Sequence, residues 1–277
     1  MRAGRLKTRR YKVRRRGLGW LLLAVGIALG AAARPLMNGE WRSLLPSQLL
    51  PARPVSTPAP QDSQAAERTF TLAGSTWYAL ELGAFDSAEE AQALASSFRG
   101  RGAGGYAAWQ DNAWRVLAAA YATRSDAQAV ISQLRRQHQV EAGISPIIQP
   151  EVTLRLSGRQ SQLTALCDAY DALSRLPEQL SVLSGRLDRR SAEREEILSA
   201  LISQQETLSA LKKRLAQQFG QSAPDAVKDA EKMLADLSLT LDEALAAQGS
   251  TALGAQIKYA QLQCLCRMAD YAAALAK

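Results

Sequence analysis

The chain is poor in the residues that do chemistry. It has one histidine and three cysteines in 277 residues, and aromatic side chains make up 6% of it. With His138 as the sole imidazole, a Ser-His-Asp or Cys-His arrangement has only that one base to draw on, and no nucleophile-elbow motif accompanies it. No spacing of Cys, His, Asp or Glu suits a metal, so no cofactor or metal site is expected. Cys167, Cys264 and Cys266 are too few for a disulfide scaffold. Cys264 and Cys266 also point about 200° apart on a helix, so all three read as small buried apolar residues, with one Cys167 disulfide to the terminal pair as the alternative. Paired acids such as Glu89-Glu90 and Glu195-Glu196 fall at helix starts or on solvated faces, where they serve the helix dipole. The chain is not expected to be an enzyme.

Basic charge is also scarce outside one place. The net charge is +8, but residues 1–16 hold nine Arg and Lys and no acid. Removing those nine leaves 25 basic against 26 acidic side chains, so no basic folded surface remains for nucleic acid. Long uncharged runs are absent too, with one exception: residues 17–33, GLGWLLLAVGIALGAAA. A membrane helix needs roughly 17–25 apolar residues. The nine preceding charges orient such a helix with its N-terminus in the cytoplasm and everything after it outside. A cleaved signal peptide is the rival, since Ala31 and Ala33 form an A-x-A-like site. Gly26 and Gly30 make a small-residue pair that suits close helix packing, or are ordinary glycines of a membrane helix. Six of the ten prolines lie in residues 34–68, which read as an extended linker.

Residues 69–148 contain an internal repeat at an offset of 36 residues. Tyr78 to Phe85, YALELGAF, matches Trp114 to Tyr121, WRVLAAAY. Ser87 matches Thr123, each followed three residues later by an acid, Glu90 or Asp126, as at a capped helix start. Ala91, Leu94, Ala95 and Phe98 match Ala127, Val130, Ile131 and Leu134, one apolar stripe per helix. Gly100, Gly102, Gly104 and Gly105 end the first helix and lead into GYAAW, while Gln110 to Ala113 reads as a hairpin loop between Trp109 and Trp114. The order is βαββαβ, an α+β, ferredoxin-like antiparallel sheet with both helices on one face.

This order of parts, with YALELGAF, RGAGGY and WRVL followed by an aromatic, resembles the SPOR domain family. The resemblance covers about a quarter of the chain and resides in the sequence of parts more than in any one motif. It implies a module that binds peptidoglycan, especially glycan strands stripped of stem peptides, through the open face of the sheet, with roles in division or sporulation. In the first strand Leu80, Leu82 and Ala84 should face the helices and Trp77, Ala79 and Glu81 the open side. Val116 and Ala118 should face inward, and Arg115 and Leu117 outward. If Trp109 pairs with Trp114, Tyr106 joins them. Trp77, Glu81, Tyr106, Arg115 and Leu117 are therefore the candidate glycan-binding residues, with rings to stack on sugars and a Glu81–Arg115 pair to hydrogen-bond or simply to bridge the strands. The chain departs from the family pattern at Glu81, where Gln is usual, and at Ala119, where glycine is.

Residues 149–277 open with VTLRL, one further strand, and are helical thereafter. Leu180, Leu183, Leu187, Ile197, Leu201, Leu208, Leu211 and Leu215 keep one heptad-like phase, so one helix is expected from a first-turn Pro177 to Phe219. Two more should follow, from Asp225 to about Ala247 and over about 251–276. An antiparallel bundle or coiled-coil hairpin results, recruiting a protein partner or a second copy. The expected whole is a single-pass protein of the bacterial cell membrane, with its bulk outside. It either binds glycan or serves as a non-catalytic scaffold.

Overall fold

A computed structural model describes residues 65–276. The basic tail, the membrane helix expected at 17–33 and most of the linker lie outside the described residues. Among those described, no helix is long and apolar enough to cross a membrane. The fold is α+β, as expected, and has three parts: a two-stranded ribbon, a sheet with two helices, and a bundle of four.

Strands β1 (Ala65–Leu72), β2 (Ser75–Phe85), β3 (Tyr106–Gln110), β4 (Ala113–Tyr121), β5 (Gly143–Gln149) and β6 (Val152–Arg159) are accompanied by α1 (Ala88–Arg99) after β2 and α2 (Arg124–His138) after β4. Four of the strands form an antiparallel sheet in the order β3-β4-β2-β5. That is the ferredoxin-like arrangement the repeat predicts. Both helix starts are capped as expected: the Ser87 hydroxyl accepts from the Glu90 N–H at 3.4 Å and the Thr123 hydroxyl from the Asp126 N–H at 3.1 Å. Ala91, Ala95, Ala127, Val130 and Ile131 are buried against one face of the sheet. The β3–β4 hairpin turns through Asp111 and Asn112, both at positive φ (49° and 59°), which short polar side chains tolerate.

The expectation for Ala84 fails. Leu82 is an extra residue between the Glu81–Leu117 and Gly83–Val116 pairs, so the strand reverses its faces there. Phe85 turns to the helices and Ala84 to solvent. Alternation alone cannot reveal such a bulge.

Outside the sheet, β1 pairs with β6. This strand begins inside the segment that reads as linker. Leu72 stands opposite Val152 and Ser75 opposite Gln149, so β1–β6 and β2–β5 share one continuous register, broken only at Ala73-Gly74 and Pro150-Glu151. Pro150 has no N–H to give a ladder, which suits it to the break. Phe70, Leu154 and Leu156 pack from the ribbon onto the bundle core, with the rings of Phe70 and Tyr170 6.0 Å apart.

The bundle consists of α3 (Gln160–Asp188), α4 (Arg194–Phe219), α5 (Asp225–Ala246) and α6 (Gly249–Leu275). Each packs on its sequence neighbour and α6 closes on α3, an up-down-up-down arrangement with short loops. The single helix expected from Pro177 to Phe219 is two. Pro177 lies buried within α3, and the turn comes at residues 189–193, where Arg190 adopts a φ of 52°. Leucines in one phase on both sides of a hairpin mimic one continuous stripe, since both stripes face the same core. That core (Leu173, Leu180, Leu201, Leu208, Leu234, Ile257 and others) satisfies the leucine stripe within one chain. The three cysteines are free and buried. The Cys264 thiol contacts the Leu173 carbonyl at 3.4 Å, and burial pushes its pKa up to about 12.

Candidate functional site

The sheet has two faces, and α1 and α2 cover only one. On the other, alternation brings Trp77, Ala79 and Glu81 of β2 beside Arg115 and Leu117 of β4, with Tyr106 and Ala108 of β3 and Ser145 and Ile147 of β5 around them. Tyr106 pairs directly with Leu117, and Trp109 with Trp114 across the hairpin, their rings 5.5 Å apart and edge to face. The five residues singled out from sequence therefore share one face.

That face is not open. Helix α6 lies across it, and Leu262, Leu265, Cys266 and Ala269 pack onto Ala79, Ala108, Leu117, Ala120 and Ile147. Leu117 is 0% exposed, and Trp77 and Tyr106 are half-buried at the edge of the same cluster. Burial pushes the Tyr106 phenol well above its ordinary range. The solvent-facing surface expected from the repeat alone is absent because the fourth bundle helix has one side for the bundle and another for the sheet.

The sequence does carry that signal. Among the 27 residues of α6 only Lys258, Arg267 and Asp270 are charged, and apolar residues occur all round the helix. A helix apolar on every side is buried on every side. Polar residues of α6 are also used in docking. Lys258, 8% exposed, donates to Asp188 at 2.9 Å and to the Gly102 carbonyl at 3.1 Å; Gln261 donates to the Ala120 carbonyl at 3.3 Å. The glycine-rich turn makes the approach close. A Cβ on Gly104 would come within 2.9 Å of the Leu262 side chain and 3.0 Å of the Lys258 backbone, so only glycine fits. Arg99 holds this turn by donating to the Gly104 and Gly105 carbonyls, and its guanidinium lies 4.2 Å above the Tyr259 ring.

Beyond the apolar cluster, Arg115 donates to Glu81 at 2.5 Å and to Asp111 at 3.1 Å. The Glu81 and Arg115 side chains are 19% and 23% exposed, and Arg115 Nε is buried without a hydrogen-bond partner. The cross-strand ion pair is therefore formed. A cleft of about 260 Å³ runs between the end of β4, α3 and α6, lined by Tyr121, Asp126, Asp188, Arg189 and Lys258. Among the described residues no group of three or more His, Cys, Asp or Glu stands close enough to hold a metal.

Neither a curated protein nor a solved structure matches the chain. The SPOR domain family matches residues 74–146, which take in β2 to β4, the first part of β5, both helices and the glycine-rich turn, and stop short of the bundle. This stretch of the chain is a SPOR domain.

Proposed function

We propose that the protein is a non-catalytic, membrane-anchored component of the bacterial cell envelope that binds peptidoglycan glycan strands through its SPOR domain. Residues 17–33 anchor it, residues 1–16 stay in the cytoplasm, and the sheet and bundle lie outside, in the service of division or sporulation. The observation that carries this reading is the family match over residues 74–146, since the family resemblance implies glycan binding by the sheet. The chemistry on that face suits a sugar polymer. Trp77 and Tyr106 offer rings to stack on the apolar faces of sugars, and the partly exposed Glu81–Arg115 pair offers hydrogen bonds to hydroxyl and acetamido groups.

Sedimentation with purified sacculi, before and after an amidase has removed the stem peptides, tests it. Binding that rises on amidase treatment is expected; no pelleting in either case overturns the reading. The second reading is a scaffold whose sheet binds protein. A specific observation favours it: the sheet face holds a helix, and Leu117 beneath it is fully buried.

A further inference from the structure

The face that should meet glycan is occupied by the chain's own α6, and the two bodies that meet there are joined covalently only at two adjacent segments. One body is the SPOR sheet with α1 and α2. The other is the bundle, with the β1–β6 ribbon fixed to α3 by Phe70, Leu72 and Leu154. Covalently they are linked by two short segments side by side, Ala73-Gly74 and Pro150-Glu151. The ladder is interrupted there without losing register, and it changes faces: Phe70 and Leu72 pack on the bundle core, whereas Trp77 and Ala79, of opposite parity, meet α6. A paired joint of this kind absorbs rotation in a few backbone torsions while the ladders on either side stay intact.

The remaining connections are contacts. Opening uncovers the apolar cluster of Leu262, Leu265 and Cys266 on Leu117 and Ile147, a cost that makes the closed form the resting one. Contacts between domains of one chain resemble transient protein–protein interfaces. The polar contacts, from Lys258 to the Gly102 carbonyl, from Gln261 to the Ala120 carbonyl, from Gln110 to the Cys266 sulfur and from Arg267 to the Tyr106 hydroxyl, lie between groups that water can satisfy once the bodies part.

We infer that α6 is a latch: it stays in the bundle throughout, and the SPOR domain swings about the joint at residues 73–74 and 150–151, so that its sheet face is closed by α6 or open to glycan. The inference rests on the glycan-binding reading above. It accounts for Leu117 and Ile147, two fully apolar residues on a face meant for a polar polymer, because a helix covers them in the closed state. Glycan binds only the open form, so its apparent affinity falls by the fraction of molecules that are closed.

The test uses the full chain in detergent and two opposite perturbations. Gly102 and Thr251 face each other across the interface between the bodies; a Cβ on Gly102 would lie 3.1 Å from Thr251 Cγ2. The double substitution Gly102→Cys, Thr251→Cys should form a disulfide that locks α6 down, and the native cysteines are buried away from it. Gly102 is at a φ of 95°, where a side chain is strained, so the same double-cysteine chain in reduced form is the reference and must keep the native helix content. Leu265→Glu places a charge in the cluster between α6 and the sheet and should favour opening. Pelleting with amidase-treated sacculi should be at least ten-fold weaker for the oxidised lock than for the same chain reduced, and at least ten-fold stronger for Leu265→Glu than for the unaltered protein, with helix content unchanged. Equal binding by the oxidised, reduced and Leu265→Glu forms overturns the latch and leaves glycan binding standing, on a surface away from α6. No pelleting by any form, the reduced and Leu265→Glu chains included, overturns both. If Leu265→Glu fails to fold, the oxidised-to-reduced comparison decides alone.

Discussion

Tyr106 of β3 and Tyr259 of α6 meet edge to face, their ring centroids 5.3 Å apart and their planes at 67°. With Arg99 over the face of Tyr259, three residues from α1, the sheet and the bundle form one cluster. An aromatic pair contributes about 0.5–1.5 kcal/mol beyond its buried area, and a cation over a ring about 0.5–1 kcal/mol at an exposed site. Tyr259→Ala should therefore lower the stability of the closed form by about 1–3 kcal/mol. Hydrogen exchange should quicken in β3 and along α6 and not in α4 or α5. Uniform loss of protection over the whole bundle would count against a local docking role.

Lys258, paired with Asp188 inside the bundle, should clamp the turn after α1 through its bond to the Gly102 carbonyl. Breaking a buried pair leaves its partner uncompensated, but Asp188 is partly open to water, so Lys258→Met should cost about 1–3 kcal/mol rather than more. Adding Asp188→Asn should restore part of that, and a double-mutant cycle in urea unfolding measures the coupling. Additive losses would mean that the ammonium matters only for the Gly102 carbonyl.

Three tyrosines give the fold an alkaline limit. Burial pushes the Tyr106, Tyr121 and Tyr170 phenols above their ordinary range, and Tyr170 is also hydrogen-bonded to the Ala226 carbonyl and to Tyr271. Unfolded phenols ionise near pH 10, at roughly their reference value. The folded form holds its protons longer, so the associated stability is fully present below about pH 10 and is lost as pH rises above it. The urea midpoint should be flat across neutral and mildly alkaline pH and fall above about pH 10, with tyrosinate absorbance appearing along with unfolding. Full ionisation of every tyrosine while the far-ultraviolet dichroism stays native would contradict this.

The proposed topology has its own check. On that topology, in which the nine positive charges of residues 1–16 keep the N-terminus inside, a protease added to intact, wall-stripped cells should remove the sheet and bundle and spare the basic tail. Protection of residues 65–276 in sealed cells would remove the protein from the wall side altogether.

Much of the SPOR domain is legible in the sequence because its determinants are local. The caps at Ser87 and Thr123, the repeat of apolar stripes and the Asp111-Asn112 turn each lie within a few residues of sequence. What stays hidden is non-local. Strand β1 has alternation too weak to stand out from a linker, and it exists because β6, some eighty residues later, pairs with it. The break between α3 and α4 is masked because leucines on either side of the turn serve one core. Alternation puts the five candidate residues on one face, yet the burial of that face depends on α6. Its second apolar side has meaning only once the bundle has closed against the sheet.

The last prediction concerns the site itself, and Arg115 is its centre. Its guanidinium holds Glu81 and Asp111 together, and the side chain, 23% exposed, is fixed in direction by them. Asp111 is 83% exposed and contributes little, whereas Glu81 is half-buried and depends on the pair. Arg115→Ala removes the guanidinium and strands the Glu81 carboxylate on the sheet face. Losing a hydrogen bond from a charged group costs about 1.5–3 kcal/mol, so sacculus binding should fall about ten-fold or more. Trp77→Ala, which removes a stacking ring, should weaken binding similarly. Glu81→Gln leaves Arg115 paired with Asp111, removes the acid and restores the residue usual in the family, so binding should hold or strengthen. Gln92→Ala and Gln128→Ala, on the helices of the opposite face, should change nothing. Each is best measured alongside Leu265→Glu, where the face is released from α6. If Arg115→Ala and Trp77→Ala bind there as well as their parent, the sheet face is not where glycan is held.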